Sequence, residues 1–237
     1  MKFVRNSSTD PHYNMAFDEW CLEHCSSDEP FFYLWRNAPS VIVGLNQNVR
    51  TEVNLPFLER EGIVLARRVT GGGAVYHDLQ NLNYSIVAPT GSVDAVQMVV
   101  DALRSLGVDA QRTGRNDIFV DGRKVSGYAR RVWKDRELIH GTLMYDVDID
   151  TLTRVLDTPE SKLHLKGIAS VHSRVANLKD LLPQFASLDQ LQAALHDIFA
   201  AGDEEMPLPA DAVQQINAIN EAKFARRDWN YERLQEE

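Results

Sequence analysis

The sequence predicts an α+β protein built on a mixed, largely antiparallel sheet with flanking helices. Three observations carry that expectation. Strand-like runs follow one another without a regular strand–helix alternation, which disfavours a doubly wound parallel sheet. Asp121-Gly122 stands between two such runs, a strong hairpin signal. Clear amphipathic helical spacing is confined to a few segments, the plainest being Val93, Val96, Val99, Val100, Leu103 and Leu106.

Taken in order, Asp10-Pro11 reads as an N-cap and first helical position. The helix that follows places Tyr13, Ala16, Phe17, Trp20 and Cys21 on one face. Residues 31–36 and 41–45 read as strands joined by a turn at 37–40. Residues 55–61 read as a short helix stopped by Gly62. Residues 63–69 form a strand entering a glycine run, and 82–88 a strand leaving it. Ser92 is expected to cap the amphipathic helix, and Gly107 to end it. The hairpin of 117–127 comes next, then a strand over 138–147 and a helical turn or two over 151–156. Ser187 with Gln190 reads as a capping box, followed by a buried stripe of Leu188, Leu191, Leu195, Ile198 and Phe199. Residues 201–209 look like a linker and 210–237 like a helical tail, within one domain spanning 1–237.

Composition narrows the function classes. With 237 residues, 44% hydrophobic and 25% charged, the chain has ample material for a core. No apolar run reaches the roughly 18 residues a membrane helix needs, and the start lacks the apolar core of a signal peptide. The expected location is the cytoplasm. Cys21 and Cys25 are too few ligands for a metal site and read as reduced, partly buried thiols. A net charge of −9 argues against nucleic acid. Residues 111–140 nevertheless hold eight Lys/Arg against four Asp/Glu, and 201–237 hold nine Asp/Glu against four Lys/Arg. A basic segment in an acidic chain is either a solvated face or the seat of a discrete anionic ligand.

The most informative stretch is 66–78, in which Gly71-Gly72-Gly73 lies between Arg67-Arg68 and Tyr76-His77-Asp78. Three glycines pack nothing and raise chain entropy. Such a run is a flexible connector, or it lets backbone N–H groups approach a phosphate or nucleotide. Arg67 and Arg68 favour the second reading, because a planar guanidinium suits phosphate and carboxylate. Strand alternation points them to opposite faces, so one of them is expected to reach a ligand. A second constellation, Gly114-Arg115-Asn116-Asp117 and Gly122-Arg123-Lys124-Val125-Ser126-Gly127, flanks the hairpin. Lys124 there is either a solvated strand lysine or a point charge for an anion.

These blocks, with His140-Gly141-Thr142-Leu143 and the run from Lys166 to Leu178, resemble the lipoate–protein ligase A family. Phe32 to Asn37 fits the early strand of that family. The resemblance implies a biotin/lipoate ligase-like α+β catalytic domain. It implies joining lipoate to AMP at the expense of ATP, with Mg²⁺, and passing the lipoyl group to a lysine of a lipoyl domain. Lipoyl domains of 2-oxoacid dehydrogenase complexes and the glycine cleavage H protein are the implied partners. Carried over by position, Arg68, Thr70, Gly72, Gly73, Ala74, Val75, Tyr76 and His77 would bind nucleotide and acyl-adenylate. Lys124 would be the catalytic contact to lipoate's carboxylate and the α-phosphate, with Ala129, His140 and Trp35 completing the substrate site. His77 and His140 are candidates by type for a base or for positioning. Asp117 either helps hold Mg²⁺ or caps backbone. Trp35 either lines a lipoyl tunnel or is plain core.

Two departures fall inside the motifs. Gln80 stands where the family commonly has glycine, and Tyr128 where a small or polar residue is usual. Many members also carry a small C-terminal accessory domain, so a separate partner protein is one expectation. Two rival readings stand beside the ligase. An octanoyl or lipoyl amidotransferase of the same fold would need a cysteine nucleophile near 114–120, where there is none. A non-catalytic acyl-adenylate or lipoyl-domain binder is the other.

Overall fold

A computed structural model describes residues 1–25, 28–114, 116–156, 174–200, 202 and 204–232. Arg115 and the 166–173 part of the last motif block lie outside the described residues, as do parts of the linker and tail. The strands are β1 (Lys2–Phe3), β2 (Phe31–Trp35), β3 (Ser40–Val43), β4 (Val64–Arg67), β5 (Val75–His77), β6 (Asn81–Pro89), β7 (Gln111–Thr113), β8 (Asp117–Val120), β9 (Arg123–Trp133) and β10 (Arg136–Met144). They form a seven-stranded sheet in the order β1-β2-β6-β10-β9-β8-β7 and a three-stranded sheet β4-β3-β5. Pairing is antiparallel except for β1 with β2 and β3 with β4. The expected mixed, largely antiparallel sheet is therefore present. β5 was not foreseen, because its three residues sit inside the glycine-loop motif.

The helices are α1 (Pro11–His24), α2 (Val49–Glu52), α3 (Leu55–Arg60), α4 (Ala95–Ser105), α5 (Ile149–Val155), α6 (Leu178–Leu181), α7 (Leu188–Phe199), α8 (Ala212–Ile219) and α9 (Arg227–Tyr231). A π turn, Asn220–Phe224, joins the last two. No helix among the described residues is long and apolar enough to cross a membrane. α1 starts as expected, with Asp10 accepting from the N–H groups of His12 and Tyr13. α4 differs at its cap. Asp94, not Ser92, accepts from the N–H of Gln97. At α7, Ser187 caps Gln190, but the Gln190 side chain returns to the N–H of Ala186. Ile198, expected in the α7 stripe, is 39% exposed.

Alternation in β2 shows where the layers lie. Phe32 and Leu34 pack in one core with α4 and α7. Phe31, Tyr33 and Trp35 pack in a second core with α1 and α8. Both faces of this strand are thus covered, which removes the polar alternation a half-exposed strand would show. α1 is buried on more than the expected face, since Asn14, Met15, Asp18 and Leu22 are buried as well. A third core holds β3, β4, α3 and α5 together. The hairpin turns at Asp121 (φ 49°) and Gly122 (φ 73°), the paired positive φ values of a type I′ turn.

Arg67 fastens the C-terminal segment. It is fully buried, and its side chain donates to the carbonyls of Trp229, Gly44, Gln47 and Asn230 at 2.8–3.0 Å and of Leu45 at 3.2 Å. Its backbone N–H donates to Asn230 Oδ1 at 2.9 Å, and Trp229 Nε1 donates to its carbonyl at 3.0 Å. Asn230 Nδ2 in turn donates to the carbonyls of Phe224 and Arg226. Removing the Asn230 amide strands buried backbone groups on both sides. Asn230→Ala is expected to cost about 2–4 kcal/mol, from about 1–3 kcal/mol per stranded group, in equilibrium urea unfolding. A loss within measurement error would show that α9 does not contribute to global stability.

Candidate functional site

Two rows of residues across the large sheet form the floor of a cavity. In one row Tyr33 pairs with Ser85, Ser85 with His140 and His140 with Ala129. In the next, Trp35 pairs with Asn83 and Asn83 with Thr142. The Gly127 N–H donates to Thr142 Oγ1 at 3.2 Å. The cavity, about 150 Å³, takes Trp35, Asn83, Ala129, His140 and Thr142 from this floor. Met15, Ile42 and Val75 add apolar wall, and Arg68, Gly72, Gly73, Ala74 and His77 come from the glycine-loop region. Asn116, Asp117, Lys124, Gly127 and Tyr128 border it from the hairpin side.

Most of the expected site residues are therefore brought together. Tyr76 and Thr70 are not among those lining the cavity. Tyr76 alternates away from Val75 and His77 into the third core, where burial, then Asp78 and Asp148, push its phenol up to about 12. Of the arginine pair only Arg68 lines the cavity, as strand alternation requires.

Arg68 builds the glycine loop. Its Nε donates to Thr70 Oγ1 at 3.0 Å and to the Gly71 carbonyl at 3.1 Å. Its Nη2 donates to the carbonyls of Gly71 and Gly73, both at 2.7 Å, and Nη1 to the Ile42 carbonyl at 3.0 Å. Burial lowers its pKa to about 10, so it stays charged at neutral pH. With those carbonyls turned to the guanidinium, the trans peptides turn the N–H groups of Gly72 and Ala74 the opposite way. Gly72 has φ +93°, and a Cβ there would lie 2.9 Å from Arg68 Nη2. A Cβ on Gly44 would lie 2.1 Å from the Gly72 carbonyl oxygen. Among the described residues, Gly71 and Gly73 have nothing within 4 Å of a built Cβ.

Lys124 owes its direction to a β-bulge. Asp117 pairs with Gly127 and Phe119 with Lys124, leaving Val125 as the extra residue of β9. The extra residue puts Lys124 and Gly127, three apart, on one side. Lys124 Nζ reaches Asp117 Oδ1 at 2.7 Å, with both side chains 34% exposed. A Cβ on Gly127 would lie 3.0 Å from Lys124 Nζ, so glycine keeps the ammonium's path open. Tyr128, one of the two departures, accepts a hydrogen bond from Arg112 Nε at 3.1 Å and borders the cavity.

His77 is held in a defined protonation state. Asn14 Nδ2 donates to the carbonyls of Ser8 and Arg36 and to Asn37 Oδ1, each at 2.8–3.0 Å. Asn37 Nδ2 is therefore the donor to His77 Nδ1 at 3.0 Å, and the ring proton sits on Nε2. Nε2 is buried with no partner among the described residues. Burial, then Arg68 and His140, lower the His77 pKa to about 3.

Sequence reasoning missed Asp18, Tyr33, Ser85, Asn37 and Asn83. Asp18 is 1% exposed on α1 and sits over the first floor row. It accepts from Tyr33 at 2.5 Å and Ser85 at 2.8 Å on Oδ1, and meets His140 Nδ1 at 2.6 Å on Oδ2. Two signals were available. Asn14 and Asp18 share a helical stripe at i, i+4, and Asn81, Asn83 and Ser85 alternate with Leu82, Tyr84 and Ile86.

Comparison with known proteins shows the family and the fold. Residues 10–200 match the family model of the lipoyl protein ligase A/B catalytic domain. The lipoate–protein ligase LplJ of Bacillus subtilis is 38% identical over 245 residues, covering 98% of this chain and 74% of that protein. Lipoate–protein ligase 1 of Staphylococcus aureus is 38% identical over 242 residues, covering 98% and 74%. Among solved structures, the archaeal bi-partite lipoate protein ligase of Thermoplasma acidophilum, studied with its E2 lipoyl domain, superposes with a TM-score of 0.87 at 30% identity, covering 100% of this chain and 98% of that one. A lipoate-protein ligase A bound with ATP gives a TM-score of 0.84 at 28% identity, covering 97% and 98%.

The His77 environment makes an acid-stability prediction. Its folded pKa of about 3 lies below the unfolded value of about 6.5. Below that upper value the unfolded chain takes a proton that the folded chain excludes, so stability is full above it and falls as pH drops towards the lower one. Between pH 7 and pH 5, urea unfolding should lose about 2 kcal/mol more in the wild type than in His77→Gln. Equal losses would mean that His77 ionises freely in the fold.

Proposed function

Because the chain belongs to the lipoyl protein ligase A/B catalytic-domain family, we propose that it activates lipoate with ATP and transfers the lipoyl group to a lysine of a lipoyl domain. One observation carries this reading. A single cavity joins an apolar wall of Met15, Ile42, Val75 and Trp35 to a half-exposed Lys124 and to Gly72, Gly73 and Ala74 of the glycine loop. An apolar acyl chain suits the first part, and a carboxylate beside a phosphate suits the second. A relative from T. acidophilum was solved with bound lipoic acid, and a lipoate-protein ligase A with ATP.

In the first step a lipoate carboxylate oxygen attacks the α-phosphorus of ATP. A new O–P bond forms, the bond to pyrophosphate breaks, and lipoyl-AMP remains. Carboxylate and phosphate repel, and Lys124 between them offsets that repulsion and the charge gathering in the transition state. Arg68 acts by holding the loop whose N–H groups of Gly72 and Ala74 meet the phosphate. In the second step the acceptor amine attacks the acyl carbon, the C–O bond to AMP breaks, and an amide forms. The amine, with an ordinary pKa of about 10.4, must give up a proton. His140 has both ring nitrogens bonded and His77 is sealed from solvent, so both position neighbours and neither takes that proton.

Mg²⁺ commonly uses one or two carboxylates together with substrate phosphates. Asp117 is the carboxylate among the residues lining the cavity, and it fits that role once Lys124 turns to the substrates. The metal would neutralise phosphate charge there. Acceptors by this reading are lipoyl domains of 2-oxoacid dehydrogenase complexes or the glycine cleavage H protein. A separate accessory protein, as in a bi-partite ligase, is a further part of the reading. We assign 1–237 as one catalytic unit working in the cytoplasm, where reduced Cys21 and Cys25 are at home. Both thiols are buried in or beside α1 and neither lines the cavity, which disfavours an amidotransferase.

Incubation with lipoate, ATP, Mg²⁺ and an apo lipoyl domain, followed by mass spectrometry, should show lipoyl-AMP and the modified domain. Modification only from supplied lipoyl-AMP would make the chain a transferase. Lys124→Ala should lower adenylate formation about 100-fold or more with an unchanged thermal transition. Wild-type rates in that variant would remove Lys124 from the site.

A further inference from the structure

We propose that Asp18 is a positioning residue for acyl activation, acting through His140 and Thr70 on Arg68 and so on the glycine loop. The inference rests on the adenylation reading and adds to it a residue outside the sequence motifs. With a neutral His140 ring, the hydrogen bonds of the chain have one consistent set of directions. Arg68 Nε can only donate, so Thr70 Oγ1 accepts from it at 3.0 Å. The proton of Thr70 itself then faces His140 Nε2 at 2.7 Å. His140 Nε2 is thereby the acceptor, and Nδ1–H donates to Asp18 Oδ2 at 2.6 Å. A second arm runs from Trp35 Nε1 to Ser85 Oγ at 2.9 Å and from Ser85 to Asp18 Oδ1 at 2.8 Å. Tyr33 adds a third donor to Oδ1 at 2.5 Å. Burial and the neighbouring Asp18 hold that phenol well above its ordinary pKa, so it remains a donor.

Three donor arms therefore end on one buried, acceptor-only group. One arm comes from the loop that faces the nucleotide, and another from the tryptophan that walls the acyl part of the cavity. Only a carboxylate satisfies all three. An amide in its place turns an N–H₂ towards at least one donor. If that donor is His140, the ring must switch to the Nε2–H form. Thr70 Oγ1 then accepts from both His140 and Arg68 while its own proton loses its acceptor, and its hold on Arg68 is weakened. Thr70 does not line the cavity, so its hydroxyl serves this chain and not the substrate.

The test uses the full chain and Asp18→Asn, Thr70→Val and Thr70→Ser. Nitrogen-15 NMR of the His140 ring should show Nδ1–H in the wild type and Nε2–H in Asp18→Asn. Lipoyl-AMP formation should fall at least 10-fold in kcat in Asp18→Asn and Thr70→Val, with KM for lipoate moving less than threefold. Thr70→Ser, which keeps the hydroxyl, should stay within threefold of wild type. Wild-type kcat in both Asp18→Asn and Thr70→Val overturns the proposal, as does an unchanged His140 tautomer in folded Asp18→Asn. If Asp18→Asn does not fold, the Thr70→Val and Thr70→Ser pair decides by the same kcat criterion. If the wild type makes no lipoyl-AMP, the adenylation reading fails by itself. The ring tautomers of wild type and Asp18→Asn then still decide whether Asp18 sets the chain.

Discussion

A guanidinium sealed from water is the constraint from which the site is built. An isolated buried charge would be prohibitive, and Arg68 is tolerated because carbonyl and hydroxyl oxygens surround it. Meeting that requirement dictates the loop. Two glycine carbonyls must turn inward, which takes a positive φ at Gly72 and leaves no space for a side chain there. The neighbouring strand end must also be glycine, since anything larger at Gly44 strikes the loop backbone. The charge thus acts on the loop backbone. It fixes the orientation of the peptide groups that join Gly71 to Gly72 and Gly73 to Ala74.

The large sheet supplies the complementary surface. Its central strands are covered on both faces, so polar residues pointing towards α1 must find partners within the protein. They do so in the row of Tyr33, Ser85 and His140 beneath Asp18. The next row is where the partners thin out. The Asn83 amide nitrogen is buried without a partner among the described residues, and so is His77 Nε2. Packed polar groups left incomplete are a cost to the folded state, and these two both line the cavity.

What was readable in the sequence followed from local rules. The hairpin at Asp121-Gly122, the opposite facing of Arg67 and Arg68, and the glycine loop each rest on residues adjacent in the chain. The motif blocks placed Arg68, Lys124 and His140 around one cavity. What was not readable depended on depth. A helical Asp18 and a strand Ser85 look like solvated surface until both sides of the sheet are known to be covered. The β-bulge at Val125 was likewise hidden, because one extra residue in a strand leaves no compositional trace. The shift of the α4 cap from Ser92 to Asp94 is a smaller case, in which two good capping residues compete within one turn.

The other arginine of the pair carries a consequence for the order of assembly. Arg67 is satisfied in part by groups that arrive 162 and 163 residues later in the chain. During synthesis its guanidinium leaves the ribosome long before Trp229 and Asn230 exist. Strand β4 can pair with β3 early, and Nη1 can meet the carbonyls of Gly44, Leu45 and Gln47, yet the Trp229 and Asn230 carbonyls that Nε and Nη2 meet arrive only when that later segment docks. Closing so long a loop is slow and comes late. Strand β4 is therefore expected to be held less firmly at Arg67 until the segment of Trp229 and Asn230 has docked, one strand position away from the Arg68 that lines the cavity.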